Sequence, residues 1–329
     1  MTTSTSSPSS AGDSPIRPAG MREAMAGPVR GPWPARPRDG FGCGVWLVTP
    51  GVSPSRFAAA ADAGADIALL DLEDSVPRLR KAEARGEVLG FLCRDGQDEG
   101  RASGIVGVRV NAPDTVHGLK DLVELAEHGV WPALLLVPKV QAARDIELVA
   151  QIMDGAPTLP QVWALIESPR AIQHLPDILC APALTGVVFG AADYAAEARC
   201  TITSRSVGNA RMMLVAAAAA AGLPAVDSPF FDLSDAAGLR REACDAADLG
   251  FVGKVAIHPA QLPVIREAFQ PSQAELDAAR AVVAAADAAD GGIITIGGAM
   301  VGPPIADVAR ALIARAGTPA LRLAHGVRS

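Results

Sequence analysis

The chain has 329 residues, half of them hydrophobic, so it is long enough to bury a large core in one or two domains. Its formal net charge of −7, with no run of Lys and Arg, argues against a nucleic-acid partner. No apolar run reaches the roughly 18 residues of a membrane helix, and the five scattered cysteines form no Cys-x-x-Cys pair, so we expect a cytoplasmic protein with no membrane partner, disulfide or zinc.

The first 39 residues are rich in Ser, Thr, Pro, Gly and Arg and show no hydrophobic periodicity. Such a composition buries too little apolar surface to offset the entropy lost on ordering, and it predicts a disordered N-terminal extension, residues 1–39. A regular pattern starts near Cys43. It divides the rest of the chain into a domain of residues 40–270 and a C-terminal extension of residues 271–329.

Eight strand-length apolar runs alternate with helical patterns in residues 40–270. The predicted strands are Gly44–Val48, Ile67–Leu72, Gly107–Val110, Ala133–Val137, Val162–Ile166, Gly186–Phe189, Ala225–Val226 and Lys254–Ile257. The predicted helices are Pro54–Ala63, Arg80–Leu92, Val116–His128, Ala142–Met153, Ile172–Cys180, Asn209–Ala221, Ser234–Leu249 and Gln261–Phe269. Eight consecutive β–α units predict an α/β fold, a (β/α)8 TIM barrel. A doubly wound open sheet is the alternative, although no Gly-x-Gly-x-x-Gly follows the first strand.

The C-terminal extension reads as a helix, a hairpin and a second helix. Ser272 is the expected N-cap of the first helix, which runs to Ala289, and Glu275 stands at capping-box spacing. A hairpin-like run covers residues 292–300, and residues 303–316 form the next helical pattern, with proline in its first turn. Such an extension often packs over a barrel mouth or against a neighbouring subunit.

Polar or charged residues follow almost every predicted strand, and in a barrel these positions gather at the face that holds the active site. We therefore expect functional groups to converge there. The segments are Thr49-Pro-Gly51, Asp71-Leu-Glu73-Asp74, Arg109-Val-Asn111, Pro138-Lys139, Glu167-Ser168, Gly190-Ala-Ala-Asp193, Asp227-Ser-Pro229 and His258-Pro259.

Glu167 and Asp193 follow two strands joined by a helix, so the strands are parallel and both carboxylates should emerge at the same edge. Two carboxylates at neighbouring strand ends suit Mg²⁺, which prefers oxygen ligands and keeps positions open for water and substrate. The alternative is two solvated acids at strand ends.

Arg109 ends an apolar strand, where a guanidinium can hold a carboxylate or stabilise an oxyanion. Its alternative role is an interior ion pair with Glu73 or Asp71. The acids Asp71, Glu73 and Asp74 repel one another, so they are expected either to orient metal-bound waters or to pair with a cation. The candidate cations are Lys81, Arg85 and Arg109.

Lys139 and His258 each allow a catalytic and a supporting role. Lys139 could form a Schiff base, but a lysine that binds carboxylates is favoured beside a metal site. His258 precedes a proline, and we expect it to fix its loop by hydrogen bonds rather than act as a base.

Seven motifs that occur in order over roughly residues 45–316 together resemble the citrate lyase β-subunit / malyl-CoA lyase family of the HpcH/HpaI aldolase group. They are Thr49-Pro-Gly51 with Arg56-Phe57, Asp71-Leu-Glu-Asp-Ser-Val76 with Lys81 and Arg85, Val108-Arg-Val-Asn111, Leu136-Val-Pro-Lys139, Leu165-Ile-Glu167, Phe189-Gly-Ala-Ala-Asp193 and Gly250-Phe-Val-Gly-Lys254-Val-Ala-Ile-His-Pro-Ala-Gln261.

The resemblance implies a Mg²⁺-dependent barrel, usually a trimer or hexamer, that cleaves or forms a C–C bond between an acyl-CoA thioester and a 2-oxo acid. It implies that Glu167 and Asp193 hold the metal and that Arg109 stabilises charge on the reacting oxygen or enolate. The remaining implied site residues are the catalytic or supporting Glu73, Asp74 and Lys139, and the substrate-binding Thr49, Pro50, Gly51, Arg56 and Asn111.

Two positions depart from the family pattern. Gly302 stands where relatives that also hydrolyse the thioester carry an aspartate base, which argues against hydrolysis here. Ala192 replaces the usual acid before the metal aspartate and is expected to change only the surroundings of the ligand. Two further readings stay open: an aldolase of the same barrel acting on free 2-oxo acids without CoA, and a non-catalytic citrate lyase-like subunit.

Overall fold

A computed structural model describes Met1 and residues 44–95, 105–156, 159–289 and 292–317. The chain divides into a unit of Met1–Pro32 and a unit of Trp33–Ser329. Of the first unit only Met1 lies within the described residues, and the second contains every element named below. The predicted disorder of residues 1–39 therefore falls, apart from Met1, outside the described residues.

Eight parallel strands close into a barrel in chain order, with the first strand paired to both the second and the eighth. This closed sheet confirms the (β/α)8 prediction and excludes the open sheet. Each predicted strand is present, with ends within two residues of those expected. The strands are β1 (Gly44–Pro50), β2 (Ile67–Asp71), β3 (Ile105–Arg109), β4 (Leu134–Val137), β5 (Gln161–Ile166), β6 (Leu184–Phe189), β7 (Ala225–Asp227) and β8 (Gly253–Ala256).

Helices connect the strands and cover the outside of the barrel. They are α1 (Phe57–Ala61), α2 (Lys81–Asp95), α3 (Val116–Glu127), α4 (Ala143–Ile152), α5 (Pro169–Gln173), α6 (Leu175–Leu179), α7 (Ala191–Glu197), α8 (Arg205–Ala221), α9 (Ala236–Leu249) and α10 (Leu262–Phe269). Short 3₁₀ turns at Pro54–Arg56, Arg78–Arg80 and Pro259–Gln261 precede α1, α2 and α10.

Two predicted helices needed correction, and one helix was not predicted. The helix expected over Ile172–Cys180 is two helices, α5 and α6, because Pro176 has no N–H to continue the first one. Helix α8 begins at Arg205, four residues before the predicted start, because Ser204 caps it by accepting the Val207 N–H. Helix α7 was not predicted, since its first residues, Ala191 to Asp193, were interpreted as the segment that follows β6.

The C-terminal extension has the predicted elements. Helix α11 (Gln273–Ala288) begins at the Ser272/Glu275 capping box, which confirms that prediction. A short antiparallel hairpin of β9 (Ile294–Ile296) and β10 (Ala299–Val301) leads into α12 (Pro303–Gly317). In the part of the chain that the structure describes, no helix is both long and apolar enough to cross a membrane.

Aliphatic and tryptophan side chains fill the inside of the barrel beneath its carboxyl-end face. Trp46 and Trp163 meet edge to face, with ring centroids 4.8 Å apart. Gly186 makes room for this pair, because a Cβ there would lie 2.4 Å from the Trp163 ring. The inside of the barrel is thus filled by side chains, and the carboxyl-end face is its open end.

A buried ionic cluster joins β7 and β8 to the helices outside them. Lys254 Nζ lies 2.6 Å from Asp227 Oδ2 and 2.7 Å from Glu242 Oε1. Arg211 contacts the same Asp227 carboxylate with Nε at 3.0 Å and Nη2 at 2.9 Å. Because Lys254 and Asp227 are fully buried, these charges depend on one another for compensation.

We expect Lys254→Met to lower the free energy of unfolding by about 3 kcal/mol, because it leaves buried carboxylate charge short of a partner. Urea unfolding followed by circular dichroism measures the change. Arg280→Met is the matched control: its ion pair with Asp277 is exposed and should contribute less than about 1 kcal/mol. Equal losses in the two variants would contradict the structural role of the cluster.

Candidate active site

A cavity of about 380 Å³ opens at the carboxyl ends of the barrel strands. Five charged side chains line it, namely Asp71, Asp74, Arg109, Glu167 and Asp193. They come from the ends of β2, β3 and β5, the loop after β2, and the first turn of α7 after β6. The strand ends therefore bring distant parts of the sequence to one place, as the barrel topology dictates.

Arg109, at the end of β3, is the cation that pairs with the acids at the end of β2. It pairs with Asp71 through two hydrogen bonds, from Nε to Oδ1 at 2.6 Å and from Nη2 to Oδ2 at 2.7 Å. The cause is register, since Asp71 and Arg109 are directly opposite in the β2–β3 ladder. Arg109 Nη1 also lies 2.9 Å from Glu73 Oε2. The interior ion pair considered from the sequence is thus present, and Arg109 still lines the cavity.

The carboxylate of Asp71 is held by several donors. It accepts the backbone N–H of Glu73 at 2.9 Å and of Ser75 at 3.1 Å, as well as the Ser75 hydroxyl. Burial alone would raise its pKa, but the Arg109 guanidinium and these hydrogen bonds hold the pKa of Asp71 below its usual value. Asp71 is therefore a permanent anion that fixes Arg109.

Lys139, in the loop after β4, is the cation that pairs with the acids following β5 and β6. Its Nζ lies 2.5 Å from Asp193 Oδ1, 3.5 Å from Glu167 Oε1 and 3.7 Å from Glu73 Oε1. Its backbone N–H donates to Glu167 Oε1 at 2.8 Å from a left-handed conformation with φ of 55°. A side chain in that region costs of order 1–3 kcal/mol and is typical of functional sites. This strained backbone holds Glu167 in place, and the ammonium binds carboxylates, as the favoured reading expected.

Two carboxyl groups of the site hold protons more tightly than usual. Burial raises the pKa of Glu167 to about 8, and the negative charges of Glu73 and Asp193 act in the same direction, while Lys139 opposes them. Burial also raises the pKa of Glu73 to about 7, with Asp74 and Asp71 adding to the rise and Arg109 and Lys139 opposing it. The site thus has more carboxylates than its own cations can neutralise.

The donor set fits a hard divalent cation. Glu167 and Asp193 contact the same Lys139 ammonium, so their oxygens face a common point. Glu73 Oε2 is buried and accepts no well-aligned hydrogen bond from the described residues. Gly190 leaves the space beside Glu167 free, since a Cβ there would lie 2.8 Å from Glu167 Oε2. Among the described residues, no group of three or more His, Cys, Asp or Glu side chains is arranged to hold a metal ion.

The structure places other predicted residues at a neighbouring cavity or away from the site. Thr49, Pro50 and Arg56 line a second cavity of about 300 Å³. Gly51 donates its N–H to the Asp71 carbonyl at 2.8 Å, and a Cβ there would clash with that oxygen. Asn111 instead donates to Asp121 Oδ2 at 2.6 Å on α3, so it supports the barrel wall rather than the cavity.

The contacts of Lys81, Arg85 and His258 show the role of each residue. Lys81 donates to the carbonyls of Leu72 and Glu73 at 2.8 and 2.7 Å, so it braces the loop and contacts no carboxylate of the acid cluster there. Arg85 pairs with Asp121 at 2.6 Å instead of that cluster. His258 Nδ1 accepts the Ala260 N–H at 3.1 Å, so His258 fixes its loop as expected.

The loop after β7 forms part of the cavity; Pro229 belongs to a segment expected there, whereas Phe231 was not predicted. Both residues line the cavity, and Phe231 is half exposed. Apolar residues in a loop carry no chemical signature of their own. The weak signal that was available is the pair of adjacent phenylalanines in the loop after β7, in a chain with 4% aromatic residues.

The raised pKa values predict a pH-dependent response to Mg²⁺. When folding raises the pKa of an acid, its protonated form stabilises the fold at pH values below the pKa of the unfolded state. That stabilisation is lost as the pH rises through the pKa of the folded state. In EDTA we therefore expect the melting temperature to fall from pH 5 to pH 8.5, as Glu73 and Glu167 ionise. Added Mg²⁺ should raise it more at pH 8 than at pH 6. Glu167→Gln should flatten the profile, and an unchanged profile would contradict this assignment.

The chain is similar to one protein family and to several known proteins. The model of the HpcH/HpaI aldolase/citrate lyase family matches residues 43–259. The chain is 35% identical over 279 residues to the citrate lyase subunit beta-like protein of Mycobacterium tuberculosis, covering 83% of this chain and 95% of that one. It is 34% identical over 285 residues to the L-malyl-CoA/beta-methylmalyl-CoA lyase of Cereibacter sphaeroides, covering 78% and 86%.

A solved structure resembles this one over most of its length. It is the protein CitE from Mycobacterium tuberculosis in complex with magnesium, acetoacetate and coenzyme A. The TM-score is 0.71 and the sequence identity 34%, with 86% of this chain and 100% of that chain covered.

Proposed function

This chain belongs to the HpcH/HpaI aldolase/citrate lyase family, and on that premise we propose that it is a Mg²⁺-dependent carbon–carbon lyase. Its proposed substrate is a 3-hydroxy-acyl-CoA thioester, which it cleaves to an acyl-CoA and a 2-oxo acid or forms from them. The malyl-CoA lyase named above acts on thioesters of this class.

The proposal rests on one observation: a candidate metal site and an arginine lie at the same cavity. Glu167 and Asp193 converge on one cation position, and Arg109 stands at the same cavity in a bidentate pair. A retro-Claisen cleavage needs an electron-withdrawing centre at the hydroxy-acid end and a positive group where the thioester enolate forms. The site offers both.

Each residue of the site has its own proposed role in the reaction. When bound, Mg²⁺ would chelate the hydroxy-acid oxygens and withdraw electron density from them. Glu73, with a pKa of about 7, suits a group that takes the hydroxyl proton near neutral pH. Arg109 would stabilise the negative charge that the breaking C–C bond leaves on the thioester oxygen, until the enolate carbon takes a proton from water and Glu73 returns the hydroxyl proton to water. Lys139 and Asp74 would orient the metal-bound waters and the ligand carboxylates.

The second cavity supports a path for the thioester arm. It is lined by Thr49, Pro50, Arg56 and His258, and it shares Val48 and Ile257 with the first cavity. Arg56 is exposed and supplies a positive charge at this entrance. We propose that the thioester enters along this side, which gives the substrate-binding role to Thr49, Pro50 and Arg56, with Gly51 shaping the turn.

Gly302 favours a lyase that stops at the acyl thioester. It lies between β10 and α12, in the position where the resemblance leads one to expect an aspartate base. A glycine cannot activate water. We therefore propose that the acyl-CoA is released intact and is not hydrolysed.

The proposal is tested with a panel of malyl-, β-methylmalyl-, citramalyl- and citryl-CoA, each with Mg²⁺ and with EDTA. Mg²⁺-dependent release of a 2-oxo acid with intact acyl-CoA from at least one thioester is the expected result. Free 4-hydroxy-2-oxo acids serve as comparators without CoA. Cleavage of these alone would favour the aldolase reading, and no cleavage by a folded, Mg²⁺-binding protein would favour a non-catalytic subunit.

A further inference from the structure

The charged residues of the cavity all lie on one arc of the barrel, where apolar residues such as Leu69 and Leu165 stand beside them. All the charged lining residues belong to β2, β3, β5, the loop after β2 and the start of α7. The opposite arc, from β7 through β8 to β1, contributes only apolar lining residues within the described part of the chain. We call it the apolar wall, and its members are Val48, Pro229, Phe231, Val255 and Ile257.

Phe231 is held at the cavity mouth by a fixed loop. The buried Gln261 donates through Nε2 to the Phe230 carbonyl at 2.8 Å, and its Oε1 accepts the Ile257 N–H at 2.9 Å. The neighbouring Asp232 closes a turn by accepting the N–H of Ser234 at 2.9 Å. Phe231 itself is 50% exposed, so it contributes little to the core. An aromatic ring presented to a cavity in this way is suited to contact a ligand.

The electrostatics of the site disfavour a second negative group on the substrate. Five carboxyl groups, of Asp71, Glu73, Asp74, Glu167 and Asp193, form ion pairs with two described cations, Arg109 and Lys139. Lys81 adds a third positive charge nearby, but its ammonium is bound by two backbone carbonyls. A divalent metal and the carboxylate it chelates leave no positive charge unused. Arg211, which lines a neighbouring cavity beyond Phe231, is already bound by Asp227 through two hydrogen bonds.

We infer that the apolar wall selects 3-hydroxy-acyl thioesters whose hydroxyl-bearing carbon carries an alkyl group, and rejects those that carry a second carboxylate there. The chelating end of the substrate occupies the charged arc, so the remaining substituent faces Phe231 and its neighbours. An alkyl group loses water favourably against them, whereas a carboxylate would lose its hydration with no partner in return. The inference rests on the proposed function and names the substrate class within it.

The first test compares kcat/KM for citramalyl-CoA, which carries a methyl group, and citryl-CoA, which carries a carboxymethyl group. We expect the methyl substrate to be favoured at least about tenfold, because desolvating an unpaired charged group outweighs the loss of one apolar contact. Phe231→Arg places a cation on the wall and should move the ratio toward citryl-CoA by about tenfold or more. Leu233→Arg is the matched control, since Leu233 lies in the same loop, is exposed and lines neither cavity; its ratio should not move.

The second test does not require turnover. Calorimetric titration with pyruvate and with oxaloacetate, both in Mg²⁺, should show tighter binding of pyruvate, and Phe231→Arg should narrow or reverse the gap. If these acids bind in the expected order but no thioester is cleaved, the proposed function fails and the role of the wall stands. If thioesters are cleaved and citryl-CoA is used as well as citramalyl-CoA, or Phe231→Arg leaves the ratio unmoved, the inference is overturned and the proposed function stands. If neither acid binds and no thioester is cleaved, both are overturned.

Discussion

Glu167→Gln and Asp193→Asn are each expected to abolish measurable Mg²⁺ binding and to lower kcat/KM by more than about 100-fold. Loss of residues that only support a metal ligand typically costs 10–100-fold, so loss of a ligand should exceed that range. The two carboxylates contact the same ammonium, so a metal there would use both. An amide keeps the shape of each side chain but removes the charge that a hard cation requires.

The fold should survive these changes. Burial raises the pKa of Glu167 to about 8, so the folded protein already favours an uncharged group there, and glutamine supplies one. Its Oε1 can still accept the Lys139 N–H. Circular dichroism should therefore show a melting temperature in EDTA equal to or above that of the wild type, and calorimetry should show no Mg²⁺ binding. Asp177→Asn, on the exposed surface of α6, is the control; full activity in Glu167→Gln would refute the metal assignment.

Arg109→Lys is expected to lower kcat by about 100- to 1000-fold, the effect of removing one oxyanion donor. Lysine keeps the charge but cannot form the two parallel hydrogen bonds to Asp71 and the contact with Glu73 at the same time. Steady-state kinetics at saturating Mg²⁺ measures the change, and KM should move less than kcat. Exogenous guanidinium should restore part of the activity of a smaller variant, Arg109→Ala.

Arg85→Lys separates catalysis from stability in this experiment. Arg85 is a buried arginine of the same barrel, paired with Asp121 at 2.6 Å and remote from the cavity lining. We expect it to lose stability and keep kcat, because its role is to join α2 to α3. If Arg109→Lys behaved in the same way, with lower stability and unchanged kcat, Arg109 would be a structural residue only.

The sequence predicts the barrel because its signals are repeated and local. Each strand is a short apolar run, and the eightfold alternation leaves few arrangements for the elements. The charged half of the site was predictable for the same reason: Asp71, Arg109 and Glu167 stand at strand ends, where parallel topology gathers them. The family membership inferred from the ordered motifs is confirmed by the match to residues 43–259.

Pairing between side chains was less predictable. Asn111 follows Arg109 by two residues and was expected at the substrate, but the strand ends at Arg109 and the chain turns toward α3, where Asp121 binds it. Arg85 was a candidate partner for the acid cluster, yet the same Asp121 binds it. Such choices depend on distances between helices that no local pattern encodes. The apolar wall was missed because Phe231 has meaning only in relation to the cavity it faces.

The most direct test of the account is the product balance from citramalyl-CoA with the wild-type protein, with Mg²⁺ and with EDTA. We expect pyruvate and acetyl-CoA to appear in equal amounts with Mg²⁺, no free CoA to accompany them, and EDTA to stop the reaction. Release of free CoA without pyruvate, or cleavage that continues undiminished in EDTA, would contradict a Mg²⁺-dependent carbon–carbon lyase.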